Sequence, residues 1–64
     1  MRAIDKVLNH FDHNQTKAAA ALNVKQQNIW WWKNKSKDMP LELIPKAAEV
    51  LRVPKSDLRP DIFN

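Results

Sequence analysis

The sequence predicts an all-α protein built from five short helices. The chain contains no glycine, and its four prolines all lie beyond residue 39, so breaks in the first part must come from Asn, Asp and Ser. Apolar residues recur at helical spacing in several segments, whereas no segment alternates apolar and polar residues as a half-buried strand does. These observations together indicate helices and give no support to a sheet.

The first two helices are predicted over residues 2–11 and from about Asn14 or Gln15 to residue 22. In the first, apolar residues at i, i+3, i+4 and i+7 form one face, and "DHN" at 12–14 ends the helix. The second, "QTKAAAAL", is rich in the best helix former and can run only to "NV" at 23–24. The predicted inward residues of these helices are Ile4, Val7, Leu8, Phe11, Ala18, Ala19 and Leu22.

Asn23 stands where the chain must turn sharply, because asparagine tolerates the left-handed conformation better than other residues except glycine. Val24 then fills the corner, and a third helix fits residues 26–35 with Ile29 and Trp32 inward at i, i+3. A helix advances about 100° per residue, so the three consecutive tryptophans cannot all enter one core. Trp30 and Trp31 are therefore expected outside it.

"SKDMP" at 36–40 predicts a loop before a fourth helix. Pro40 fits the first turn, and Pro45 is tolerable only if it lies there too, so the regular helix begins as late as Ile44. Pro54 opens a short turn over 54–58, and Ile62 and Phe63 are expected to pack on the core or on a second subunit. The predicted buried face of the fourth helix is Leu43, Ile44, Ala47, Ala48 and Leu51.

At 64 residues we expect one domain, 1–64, with a marginal core that dimerisation would help. The net charge of +4 is uneven, since residues 1–38 hold seven Lys/Arg against three Asp/Glu and residues 39–64 hold four against four. Lys25, Lys33, Lys35 and Lys37 follow one another with no carboxylate between them, a pattern suited to phosphate. A solvated surface helix is the alternative explanation.

The composition also excludes several classes of function. No cysteine, signal-peptide pattern or membrane span is found, so we expect a soluble protein of the cytoplasm. A phosphate-binding glycine-rich loop is impossible without glycine, and His10 and His13 lack the third histidine of a typical catalytic zinc site. We therefore expect no enzyme activity, no cofactor, no metal and no small-molecule substrate.

Two short helices joined by a tight turn, the second amphipathic and basic, are the skeleton of a helix-turn-helix. From Gln15 to Asn34 the chain resembles phage Cro and CI-type repressors, and "MP" at 39–40 with "SDLRPDIF" at 56–63 resembles the YdaS-type prophage regulators. The likeness rests on Ala19 at the helix crossing, Asn23 at the turn where glycine is usual, Val24 behind it, and the inward pair Ile29 and Trp32. The resemblance implies a lambda-repressor-like fold and a homodimer that represses transcription on double-stranded operator DNA.

The third helix would read bases in the major groove. A glutamine can donate to and accept from adenine, which suits Gln26 and Gln27 near the helix start, and Asn28 is a weaker candidate. Trp31, one turn beyond Gln27, is predicted to contact a thymine methyl or the groove wall. Alternatively, the glutamines are only solvated helix formers and one outward tryptophan is extra core.

Backbone phosphates are predicted at the start of helix two and along the basic segment. The sequence departs from the family pattern at Lys25, which stands at an N-cap where Ser or Thr is usual, and at Trp30 and Trp31, which replace polar residues. The predicted backbone contacts are Gln15, Thr16, Lys17, Lys25, Trp30, Lys33, Lys35 and Lys37.

Two other functions fit the same residues. One is an antitoxin-like or other protein-interaction module of this fold, which would use the tryptophan surface on a protein. The other is single-strand binding by stacking on Trp30 and Trp31, which predicts little dependence on base sequence. A steep loss of affinity with salt distinguishes a groove binder from a protein-interaction module.

Overall fold

Within residues 2–63, five α-helices and one 3-10 turn follow one another. The computed structural model describes residues 2–63, and this part of the chain contains no strand. The elements are α1 Ala3–His10, α2 Gln15–Leu22, α3 Gln26–Asn34, a 3-10 turn Leu41–Leu43, α4 Ile44–Leu51 and α5 Lys55–Leu58. The predicted all-α class with five helices is confirmed. None of the helices within residues 2–63 is long and apolar enough to cross a lipid bilayer.

One apolar cluster joins all five helices. The predicted inward faces of α1, α2 and α3 are confirmed, although Phe11 at the end of α1 is only half-buried. On α4, Ile44 and the two alanines are buried, whereas Leu43 and Leu51 are half-buried at the edge of the cluster. The fully assembled core is Ala3, Ile4, Val7, Leu8, Ala18, Ala19, Leu22, Ile29, Trp32, Met39, Ile44, Ala47, Ala48 and Leu58.

The chain makes its helix-ending turns without glycine. Asn23 has a φ of 58° and Arg52 a φ of 59°, both left-handed, at the first residue after α2 and α4. In each turn the next N–H closes on the preceding helix, from Val24 to the Ala19 carbonyl at 2.9 Å and from Val53 to the Ala48 carbonyl at 3.0 Å. The left-handed turn predicted at Asn23 is confirmed, and Arg52 repeats it with a residue that tolerates it less well.

The start of α4 and the packing of the last described residues agree with the sequence prediction, except at Ile62. The regular part of α4 starts at Ile44, and Pro45 lies in its first turn. At the far end, Phe63 packs on the core, with the Lys55 ammonium 5.4 Å from its ring centre. Ile62 was also expected on the core, but its side chain is 45% exposed because the adjacent Phe63 takes the inward place in this turn. Packing of Ile62 on a second subunit stays a prediction.

The two neighbouring tryptophans Trp31 and Trp32 give the sharpest test of how α3 faces the core. We expect Trp32→Ala to lower the free energy of unfolding by about 3–5 kcal/mol, because a buried indole is lost from a small core. Trp31→Ala is the matched control, since the Trp31 side chain is 56% exposed, and it should change stability by less than about 1 kcal/mol. Urea unfolding followed by circular dichroism measures both. Equal losses for the two variants would contradict this facing.

Candidate nucleic-acid interface

The outward face of α3 is set by what α3 buries. Ile29 and Trp32 lie in the core against α1 and α2, so the remaining side chains of this helix face away from it. Trp30 is 46% exposed and Trp31 is 56% exposed, as predicted for the two outward tryptophans. Residues four apart share a helix face, so Gln27 lies beside Trp31 and Gln26 beside Trp30. Both glutamines are exposed, whereas Asn28 is half-buried.

A shallow cleft lies where the starts of α2 and α3 meet. Its volume is about 490 Å³, and it is lined by Gln15, Lys25, Gln26, Gln27 and Trp30. Five of the predicted contact residues therefore come together in one place. Because the positive ends of two helix dipoles border this cleft, an anion there would be attracted from both sides.

The backbone donors at the two helix starts differ. At α3 the N-cap residue is Lys25, which makes no side-chain cap, so the first N–H groups of this helix have no side-chain acceptor. At α2 the Asn14 side-chain oxygen accepts the Lys17 N–H at 3.0 Å. A phosphate is predicted at the backbone N–H groups of Gln15, Thr16 and Lys17, and that of Lys17 is thus already bonded. The ammonium group of Lys17 is exposed and takes no part in this contact.

The opposite end of α3 is held by Arg2, which sequence reasoning missed. Its guanidinium donates to the carbonyl oxygens of Lys33 at 3.0 Å, Lys37 at 3.3 Å and Ser36 at 3.4 Å. A weaker contact of 3.5 Å reaches the Trp32 carbonyl. The Trp32 and Lys33 carbonyls belong to the last turn of α3, where a helix leaves its carbonyls without partners, and those of Ser36 and Lys37 lie just beyond it. A cation is the group that the helix dipole favours at this end.

Asp38 makes the reciprocal connection back to α1. Its carboxylate accepts the N–H groups of Ala3 at 3.0 Å and Ile4 at 2.9 Å, which open α1, and that of Met39 at 2.7 Å. A carboxylate at a helix N-terminus satisfies free donors and suits the positive end of the dipole. The start of α1 and the end of α3 are therefore fixed to each other by one cation and one anion.

Asp5 changes the interpretation of Lys33. The carboxylate pairs with the Arg2 Nε at 3.0 Å and with the Lys33 Nζ at 2.8 Å. Hydrogen bonds from Arg2 and then from Lys33 hold the pKa of Asp5 well below its usual range. The Lys33 side chain thus turns toward α1, where the carboxylate of Asp5 offsets its positive charge. Lys25, Lys35 and Lys37 are exposed and form none of the ion pairs among the described residues.

The segment around α3 is basic, although Lys33, the one lysine within α3, is paired with Asp5. No acidic residue occurs between Asp12 and Asp38, while the same stretch holds five lysines. Lys35 and Lys37 lie beyond the C-terminus of α3, about 13 Å along the helix from the cleft at its start. The predicted backbone contacts therefore fall into two groups, one at each end of α3.

The described residues bring no three His, Asp or Glu side chains close enough to hold a metal ion. His10 ends α1 and packs edge-on against the Phe11 ring, with a centroid distance of 4.9 Å. His13 lies in the turn that follows, with a left-handed φ of 62°. Both imidazoles are exposed and lie away from α3 in sequence.

Comparison with known proteins relates most of the chain to one family. A family model described as "Bacterial toxin YdaS" matches residues 13–64. The match begins in the turn after α1 and includes α2, α3, α4 and α5. No curated protein and no solved structure matches the chain.

The contacts of Asp5 predict how stability depends on pH. Because the folded-state pKa of Asp5 is lowered, its contribution is present above the ordinary carboxyl range near pH 4 and is lost as the pH falls below it. We expect Asp5→Asn to be less stable than the wild type at pH 7, with the gap narrowing at pH 3. Urea unfolding at both pH values measures this. The control is Asp12→Asn, which removes a carboxylate from the exposed turn after α1 and leaves the contacts of Asp5 with Arg2 and Lys33 in place. If the stability gap between Asp5→Asn and the wild type is equal at both pH values, the assignment is contradicted.

Proposed function

The chain belongs to the bacterial toxin YdaS family of small prophage-associated proteins, and we propose that it binds duplex DNA by placing α3 in the major groove. The observation that carries the proposal is the α2–α3 unit, a pair of short helices joined by the left-handed turn at Asn23. Its second helix is flanked by the exposed lysines Lys25 and Lys35 and exposes two glutamines beside two tryptophans. A helix is about 10–12 Å across, which matches the width of the major groove.

Base reading is assigned to the exposed face near the start of α3. Gln26 and Gln27 would each bond an adenine edge, and Asn28 would reach a base or a phosphate from its half-buried position. Trp31 lies on the same face as Gln27 and would contact a thymine methyl. These contacts need the side chains to be free, and none of the four forms a side-chain hydrogen bond within residues 2–63.

The phosphate backbone is assigned to the two ends of α3. A phosphate in the cleft would meet the first N–H groups of both helices, with Trp30 flanking it. Lys33 would attract phosphate less strongly than Lys35 and Lys37, because the carboxylate of Asp5 offsets its charge. The cleft group is Gln15, Thr16, Lys17 and Lys25, and the group at the other end is Lys33, Lys35 and Lys37.

Binding of this kind gives a Cro-type transcriptional repressor rather than an enzyme. A homodimer bound to a two-fold-symmetric operator would occlude the promoter within it, and no cofactor or chemical step is needed. Family membership fits a prophage setting. The proposed site of action is DNA in the bacterial cytoplasm. The prophage setting and the basic α2–α3 unit are the support for this role.

A second candidate function is recognition of a protein by the same surface. Two adjacent, roughly half-exposed tryptophans favour it, since tryptophan is enriched among the residues that dominate protein interfaces. The family description as a toxin also fits a protein target. In that case the exposed lysines would steer the approach of the protein partner, and the glutamines would have no role in reading bases.

Salt dependence separates the two candidates. With Lys17, Lys25, Lys35 and Lys37 each neutralising one phosphate, log K should fall with log salt at a slope of about −3.6 per protomer. Lys35→Gln should reduce the slope by about 0.9, and Lys33→Gln should reduce it by less. Fluorescence anisotropy with a duplex selected from a random library provides the measurement. A flat salt dependence, or equal affinity for single strands of any sequence, would exclude groove binding.

Gln27→Ala tests base reading directly. It should cost roughly 1–3 kcal/mol on the selected duplex and change nonspecific binding little, because a base contact is lost and no charge is removed. Lys35→Gln is the matched control and should weaken both. Equal losses on the two DNAs for Gln27→Ala would contradict the assignment.

Trp31→Ala distinguishes DNA from a protein partner. On the selected duplex it should weaken binding by roughly 1–2 kcal/mol through lost apolar contact, with little change in melting temperature. The fluorescence of Trp31, isolated by comparison with Trp31→Phe, should change when this duplex is added. Unchanged DNA affinity together with lost self-association or folding would assign Trp31 to a protein interface instead.

A further inference from the structure

A second groove runs along the outer face of α4 beside the end of α2. Its volume is about 730 Å³, and it shares no lining residue with the cleft at the start of α3. Three of its lining residues, Ala21, Pro45 and Val50, are apolar. The other four are charged and exposed, namely Glu42, Lys46, Glu49 and Arg52.

The four charges alternate in sign along the groove. Lys46 and Glu49 lie three residues apart on one face of α4, whereas Glu42 lies in the preceding 3-10 turn and Arg52 is the residue that ends α4. None of them joins the ion pairs among residues 2–63, which are Arg2–Asp5, Lys33–Asp5 and Arg59–Asp61. Glu42 and Lys46 are four residues apart in sequence, yet they do not form an ion pair.

When two copies of this row of charges run antiparallel, opposite charges face each other. If a second α4 packs antiparallel, with the two-fold axis midway between positions 46 and 49, Lys46 faces the partner's Glu49 and Pro45 faces the partner's Val50. The same axis brings Glu42 within one residue of the partner's Arg52. A parallel arrangement would instead set like charges against each other, which is destabilising.

We propose that this groove is the surface by which two copies of the chain associate, with the α4 helices antiparallel across a two-fold axis. Such an interface is isologous, so one patch supplies both halves of every contact. Because the apolar lining is only three side chains, the charges determine the orientation of the pair. The proposal goes beyond DNA binding and does not depend on it.

The backbone at Arg52 supports this use of the groove. Arg52 adopts a left-handed φ of 59° at the end of α4, where glycine would be less strained. Residues held in such conformations cluster at functional positions. An arginine there keeps a cation at the end of the groove, within one residue of the partner's Glu42 in the antiparallel pair.

Charge exchange tests the interface without DNA. Sedimentation equilibrium of the wild type should show a concentration-dependent dimer, and Lys46→Glu or Glu49→Lys should each weaken association by roughly tenfold or more. An equimolar mixture of the two variants should recover it, since two carboxylates on one chain then face two ammonium groups on the other. The double variant Lys46→Glu/Glu49→Lys should recover it as well.

Recovery of association in the mixture shows that the charges act between chains and not within one helix, because mixing does not change the charges inside either chain. A monomeric wild type at every concentration, or single variants that associate as the wild type does, would overturn the proposal. So would a mixture that stays monomeric while circular dichroism shows both variants folded.

If a variant fails to fold, the wild type alone still decides the question. In a dilution series of ¹⁵N–¹H correlation spectra, the amide signals that move should belong to Ala21 and to residues 42–52. Movement confined to residues 26–35 would assign the interface to α3 and overturn the proposal. Loss of DNA binding with intact dimerisation would count against the proposed function and leave this interface standing.

Discussion

The packing of Ile29 and Trp32 into the core is the constraint on which the rest of the interface depends. A helix has one rotation about its own axis, so once these two side chains are inside, the direction of every other residue on α3 is set. Trp31 then lies about 100° away from Trp32 and Trp30 about 200° away. The exposure of these two tryptophans, and of the glutamines one turn before them, is therefore a consequence of core packing.

The two ends of α3 are capped differently, and this asymmetry agrees with the proposed binding of an anion at its N-terminus. At the C-terminus the Arg2 guanidinium takes the free carbonyls, while Asp38 returns a carboxylate to the start of α1. At the N-terminus Lys25 offers no side-chain cap. Side-chain contacts thus hold the helix at the end remote from the cleft and leave the donors beside the cleft available to an anion.

Local patterns were enough to predict the helices, because apolar periodicity, the turn at Asn23 and the positions of the prolines act within a few residues. Contacts across the chain were not predictable in the same way. Lys33 and Lys35 look equivalent in sequence, and only the approach of Asp5, 28 residues earlier, distinguishes them. Arg2 also bonds the Lys33 carbonyl 31 residues away, and Asp38 accepts the Ile4 N–H 34 residues away. For Arg2 the local sequence offered one signal, its i, i+3 spacing to Asp5.

The distribution of charge connects the two proposed surfaces. Residues 13–37 carry lysines and no carboxylate, so the α3 faces of two copies repel each other and attract a polyanion. Residues 39–64 carry four charges of each sign, and the four that line the groove beside α4 alternate in sign. A chain that binds DNA through one surface and its own copy through another needs this division, because a uniformly basic protein would oppose its own association. Self-association through the groove beside α4 would leave the cleft at the start of α3 uncovered on each copy, because the two share no lining residue.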